Sequence, residues 1–141
     1  MQNSIALKVL LVVAGLIGAI IGAGILIAPV QFHATSGIVL DSNASLMSEI
    51  RAPGGALLAG GLIILAGAFV KRLTYTATLL TTLLYLSYGL ARIFSIMIDG
   101  LPDTALLAAT SIELIIGLLA GFALIRFQSR SVRTPSFAQT A

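Results

Sequence analysis

Cysteine is absent from the 141-residue chain, which excludes disulfides, thiolate metal sites and dithiol redox chemistry. Histidine occurs once, at His33. One histidine without cysteine leaves no ligand set for zinc, haem or an iron–sulfur cluster, so neither a metal nor a cofactor is expected. A phosphate-binding glycine loop is missing as well: Gly22 and Gly24 are not followed by a third glycine at the required spacing, and no strand precedes them. No nucleophile elbow accompanies His33. Charge is scarce. Only 9% of the residues are charged, against about 25% in a soluble domain, and a water-facing surface cannot be built from so few. Nucleic acid is not an expected partner, because the basic residues form no stripe and stacking aromatics are few.

What the chain does have is apolar length. Residues of the AVILMFWYC set make up 58% of it, and 14 more are glycine. A membrane span takes about 20 apolar residues, and four such stretches predict helices at about residues 6–30, 47–70, 73–98 and 104–126. The fold class is therefore all-α, an antiparallel bundle of four transmembrane helices in one domain over about residues 1–126. Residues 127–141 are polar, contain Pro135 and lack periodicity. They predict a disordered basic cytoplasmic tail whose arginines touch anionic headgroups. The first stretch exceeds the roughly 7–15 apolar residues of a signal peptide, so it is expected to be retained as a helix.

The few charges are sorted by side. Lys8, Lys71, Arg72, Arg126, Arg130 and Arg133 fall on one side of the four spans, without an acid among them. Asp41, Glu49, Asp99 and Asp103 fall on the other, with Arg51 as the one basic residue. By the positive-inside rule both termini are cytoplasmic, and an even number of spans requires the termini to share a side. The expected location is a bacterial cell (inner) membrane, crossed several times.

Helix 1 carries Ala14, Gly18 and Gly22 at four-residue spacing, a pattern that admits a second backbone closely. Packing within the chain is the favoured reading and dimerisation the other. Helix 2 has a similar small face of Ala52, Ala56, Gly60 and Gly67. Its start is ambiguous. With Asn43 or Ser45 as N-cap it begins before Glu49 and contains Pro53; otherwise Pro53 is its first residue.

Helix 3 is the informative one. Thr74, Thr78, Thr81, Tyr85, Tyr88, Arg92, Ser95 and Asp99 recur at alternating steps of four and three, which confines them to about 100° of arc. Such a stripe cannot favourably face lipid. It predicts either a hydrogen-bonded seam between helices or the lining of a pocket. Thr82 and Ser87 fall off the stripe and are expected to bond back to their own helix. Arg92 lies about 10 Å in from the loop 99–103 and Glu113 about 15 Å, on neighbouring antiparallel helices. An Arg92–Glu113 ion pair follows, because either charge alone costs about 2.5–3.5 kcal/mol at a helix centre.

These residues resemble a known pattern. Ser48-Glu49-Ile50-Arg51-Ala52 with Gly54-Gly55, then Gly89, Arg92, Ser95, Asp99-Gly100 and Pro102, then Glu113, are similar to the domain-of-unknown-function family 4345, small bacterial four-helix membrane proteins. The resemblance covers the chain to about Arg126. It implies no activity, and the likeness to DoxX-like proteins is one of architecture only. Its motif residues are the ones that the charge argument selects.

Three functions are weighed. The first is a polar pocket in the outer half, built from Glu49, Arg51, Tyr85, Tyr88, Arg92, Ser95, Asp99 and Glu113 and capped by the loop holding His33. It would bind a small amphipathic molecule or lipid, with the arginines holding an anionic or carbonyl group. The second is a proton-coupled transporter working as a homo-oligomer. There, an arginine partner would quench Glu113 as a cation site. The third is a structural or accessory subunit of a larger membrane complex. An enzymatic role stays open and is the less expected one. The bilayer is the one partner that composition requires.

The topology is directly testable, since the chain has no native cysteine. Cysteines placed at Ser42 and Asp103 are expected to react with an impermeant maleimide from outside the cell, and one at Ser129 only after permeabilisation. Labelling of Ser129 in intact cells overturns the orientation.

Overall fold

A computed structural model of the chain describes residues 4–41 and 43–131, the last five by their backbone alone. Four of its helices are long and apolar enough to cross a membrane, as expected of a multi-pass membrane protein. They are α1 (Ile5–Ile27), α3 (Ala44–Gly67), α4 (Thr74–Asp99) and α5 (Thr104–Ser131). A six-residue helix, α2 (Pro29–Ala34), follows α1, and a 3₁₀ turn, Lys71–Leu73, precedes α4. Among the described residues there is no strand. Ser42 and the stretch 132–141, including Arg133 and Pro135 of the expected disordered tail, lie outside the described residues. So does the side chain of Arg130.

The boundaries have local causes. The Ser4 hydroxyl accepts the Leu7 N–H at 3.4 Å and opens α1. Helix α1 ends at Ile27 instead of near residue 30, because Pro29 has no N–H to donate and disfavours helical geometry at Ala28, whose φ is −131° and ψ 61°. Pro29 then serves as the first residue of α2. Gly37, at φ +71°, accepts the left-handed turn that leaves α2. Helix α3 begins early, capped by the Asn43 side chain, which accepts from the N–H groups of Ser45 and Leu46 at 2.8 and 3.4 Å. Pro53 therefore lies inside this helix. Asp103 caps α5, its carboxylate accepting the Ala105 N–H at 2.8 Å. Helix α5 continues to Ser131, five residues into the segment expected to be tail.

Glycine sets the packing. Helices α1 and α3 run antiparallel with their backbones nearly touching: Gly15 lies against Leu65, Gly18 against Gly61, and Gly22 against Gly54 and Leu58. A β-carbon on Gly15 would sit 2.6 Å from the Leu65 nitrogen. The Ala14–Gly18–Gly22 face is thus spent within the chain. On α3, Gly60 meets Leu84 and Gly67 meets Ala77, whereas Ala52 and Ala56 are exposed. Helices α4 and α5 pair in the same antiparallel sense, Gly89 against Leu114 and Gly117 against Leu86.

The molecule is two tight hairpins, α1–α3 and α4–α5, and they are joined unequally along their length. At the end bearing the termini, Leu7, Leu11, Ala14, Ile64, Ala68, Ala77 and Ile116 form a closed core with Tyr85 at its inner limit. Lys8 reaches across this end to lie 4.9 Å from the centre of the Phe69 ring. The outward faces are apolar, with Val9, Val13, Leu16 and Ile20 on α1 and Ile115, Leu118, Phe122 and Ile125 on α5 exposed as a lipid-facing coat.

Gly22→Val is expected to destabilise the protein by about 1–3 kcal/mol, because its side chain meets backbone that cannot step aside. Gly55→Val, whose β-carbon would find only the end of Leu26 at 4.0 Å, is expected to stay within about 0.5 kcal/mol. Unfolding in mixed micelles measures both, and equal effects would contradict this hairpin packing.

Candidate functional site

The polar stripe of α4 divides into three parts. In the first, Thr74, Thr78 and Thr81 are buried in the closed core. Their hydroxyls bond to backbone. Thr74 donates to the Gly67 carbonyl at 2.9 Å, Thr78 to Thr74 at 2.6 Å and Thr81 to Ala77 at 2.7 Å. Off the stripe, Thr82 and Ser87 bond back to Thr78 and Leu84, as expected. This half is the seam, although most of its bonds stay within α4 instead of crossing between helices.

The second part, Tyr85 to Arg92, faces a cavity of about 670 Å³ in the half that the core does not fill. That volume falls within the roughly 300–1,000 Å³ typical of small-molecule sites. Tyr85 closes the inner end. It is buried, and its hydroxyl donates to the Ala14 carbonyl at 2.6 Å, tying α4 to α1. The walls are Ile17, Ile21 and Ile25 of α1, Leu57 of α3 and Leu84 of α4, with the small Ala105 and Ala109 of α5 leaving the space open. Phe32 and His33 of α2 form the roof, their rings edge to face at 5.7 Å. Among the described residues, α2 packs on α1 and α3 and on neither α4 nor α5, so the roof is attached to one hairpin only.

Arg92 and Glu113 meet in this wall. The arginine Nε donates to Oε2 of Glu113 at 3.0 Å, with 33% and 14% of the two side chains exposed. The expected pair is present, and it is one-pronged. Both terminal amino groups of the guanidinium, four N–H donors, find no protein acceptor among the described residues. Tyr88 and Glu49 also line the cavity, and neither side chain has a hydrogen-bond or ion-pair partner among the described residues.

The third part of the stripe lies apart from the cavity. Ser95 donates to Asp99 at 2.9 Å on the exposed end of α4, a contact within one helix at i, i+4. Arg51 is also elsewhere: its Nε donates to the Leu26 carbonyl at 3.2 Å and so caps the end of α1. Of the eight residues expected to form the pocket, Glu49, Tyr85, Tyr88, Arg92 and Glu113 line the cavity, whereas Arg51, Ser95 and Asp99 do not. Phe32 and Ser36 of the roof and the alanines of α5 join the lining beyond the residues that charge and spacing predict. The sequence signal for the roof is Pro29, which breaks the apolar run just before them.

Chemically, the arrangement is an apolar chamber with one guanidinium, two carboxylates and two phenols. Among the described residues no three acidic or histidine side chains converge in a way that would hold a metal. No curated protein and no solved structure matches the chain. A sequence profile matches residues 6–124, spanning all four membrane helices, and the chain belongs to the family it defines, described as "Domain of unknown function (DUF4345)".

Proposed function

We propose that the cavity binds a single small amphipathic molecule or lipid, taken from the bilayer of a bacterial cell membrane. The observation that carries this reading is the one-pronged Arg92–Glu113 pair. In hydrocarbon an unanswered N–H costs several kcal/mol, and a structural pair would be expected to close both prongs of the fork. Here the open donors border an apolar chamber of ligand size. An oxygen-bearing group on the ligand, such as a carbonyl, hydroxyl or phosphate, answers them, and its apolar part lies along Ile17, Ile21 and Leu57. With both termini cytoplasmic, as the charge distribution favours, the chamber lies in the outer half of the membrane. Glu113 orients the guanidinium through Nε, and Tyr85 fixes the inner end of the chamber.

The full-length protein, extracted in mild detergent and examined by native mass spectrometry, is expected to carry one bound amphiphile per chain. Arg92→Gln is expected to lower occupancy about tenfold or more, the effect of losing one charged hydrogen bond. Glu113→Gln is expected to weaken binding as well while the protein still folds. Loss of folded protein in both variants, with unchanged occupancy of the chains that do fold, would identify the pair as structural and sink the binding reading.

A further inference from the structure

We infer that the ligand is an amphiphile bearing a protonated amine, either a long-chain amine or a zwitterion that adds an oxygen group for Arg92. The inference rests on the binding reading above and adds the chemistry of the head group. The cavity wall carries two carboxylates, Glu49 and Glu113, against one permanent cation, Arg92. The Arg92–Glu113 contact cancels one of each, which leaves the negative charge of Glu49 unanswered among the described residues.

Other groups at the mouth lean the same way. His33 Nδ1 lies 2.8 Å from the Pro29 carbonyl, and a carbonyl can only accept, so Nδ1 carries the proton. In the neutral ring Nε2 is then a lone-pair acceptor. Pro53, also in the wall, lacks the N–H that would bond the carbonyl of Glu49 four residues earlier, so a backbone oxygen loses its usual donor at that level of α3. Carboxylate, imidazole nitrogen and backbone carbonyl all accept, and a protonated amine supplies the N–H donors and the positive charge together. An anionic head would reach the open donors of Arg92 only by adding a like charge beside Glu113 and Glu49.

The test uses the full chain in nanodiscs of zwitterionic lipid. The probes are dodecylamine and dodecanoate, each with a photoactivatable diazirine in its chain. After illumination, labelled residues are mapped by mass spectrometry. The expected result is saturable labelling of α4 and α5 within 84–92 and 105–113 by the amine, competed by unlabelled dodecylamine. Glu49→Gln should weaken it about tenfold or more. Arg51→Gln, on the same stretch of α3 but outside the cavity, should leave labelling unchanged. Because Glu49 is exposed and its side chain forms no hydrogen bond or ion pair among the described residues, its replacement is expected to leave the fold intact, which a melting curve checks. Saturable labelling by dodecanoate in preference to the amine, indifferent to Glu49→Gln, would overturn the amine assignment and leave the binding site standing. Absence of saturable cavity labelling by either probe would overturn both.

Discussion

Hydrocarbon offers a polar group nothing to bond with, and this constraint organises the whole molecule. Every hydroxyl, amide and charge placed between the ends of the helices must find its partner inside the chain or in something the chain holds. The threonines of α4 solve the problem locally, on carbonyls of their own helix and the preceding turn. Tyr85 solves it across helices, on the Ala14 carbonyl. Arg51 solves it on a carbonyl in the last turn of α1. Arg92 solves it by one prong out of two. The cavity lies where the internal solutions run out, which makes it stand out from the rest of an otherwise closed bundle.

The same constraint decides how much could be read from the sequence. Four helices, their antiparallel order and the Arg92–Glu113 pair follow from apolar length and from the cost of an isolated charge at depth, and both are properties of residues and spacing. The role of Arg51 does not follow in that way. Its partner, the Leu26 carbonyl, is a backbone atom 25 residues away, brought close by the register of α1 on α3. That register depends on which glycines face which backbone atoms, and helical periodicity does not encode it. Ser95 and Asp99 illustrate a different limit. They share the stripe of Arg92, but the stripe runs past the end of the cavity, where the two residues satisfy each other in the exposed last turn.

The α2 roof shows a third limit. Apolar composition continues through residues 28–30, so length alone extends the first helix over them. A single missing N–H at Pro29 ends it and redirects the chain across the bundle. The sequence predicts the segment as a loop that caps the pocket with His33, without its helical form. The structure gives it an inner face, through Phe32 and His33, that the chamber needs if its contents are to be separated from water.

The unequal joining of the two hairpins has a mechanical side. They are bound tightly at the end bearing the termini, where Thr74 grips the Gly67 carbonyl and Tyr85 grips α1. Toward the opposite end the cavity lies between them, roofed from one hairpin only. A helix of 23 residues is about 35 Å long, so tilting one hairpin by a single degree about the tight end moves the loose end by about half an ångström. The bundle is in effect a pair of tongs, in which small adjustments at the pivot are magnified where the chamber opens. A change in the chamber's volume therefore asks little of the packing that holds the two arms together.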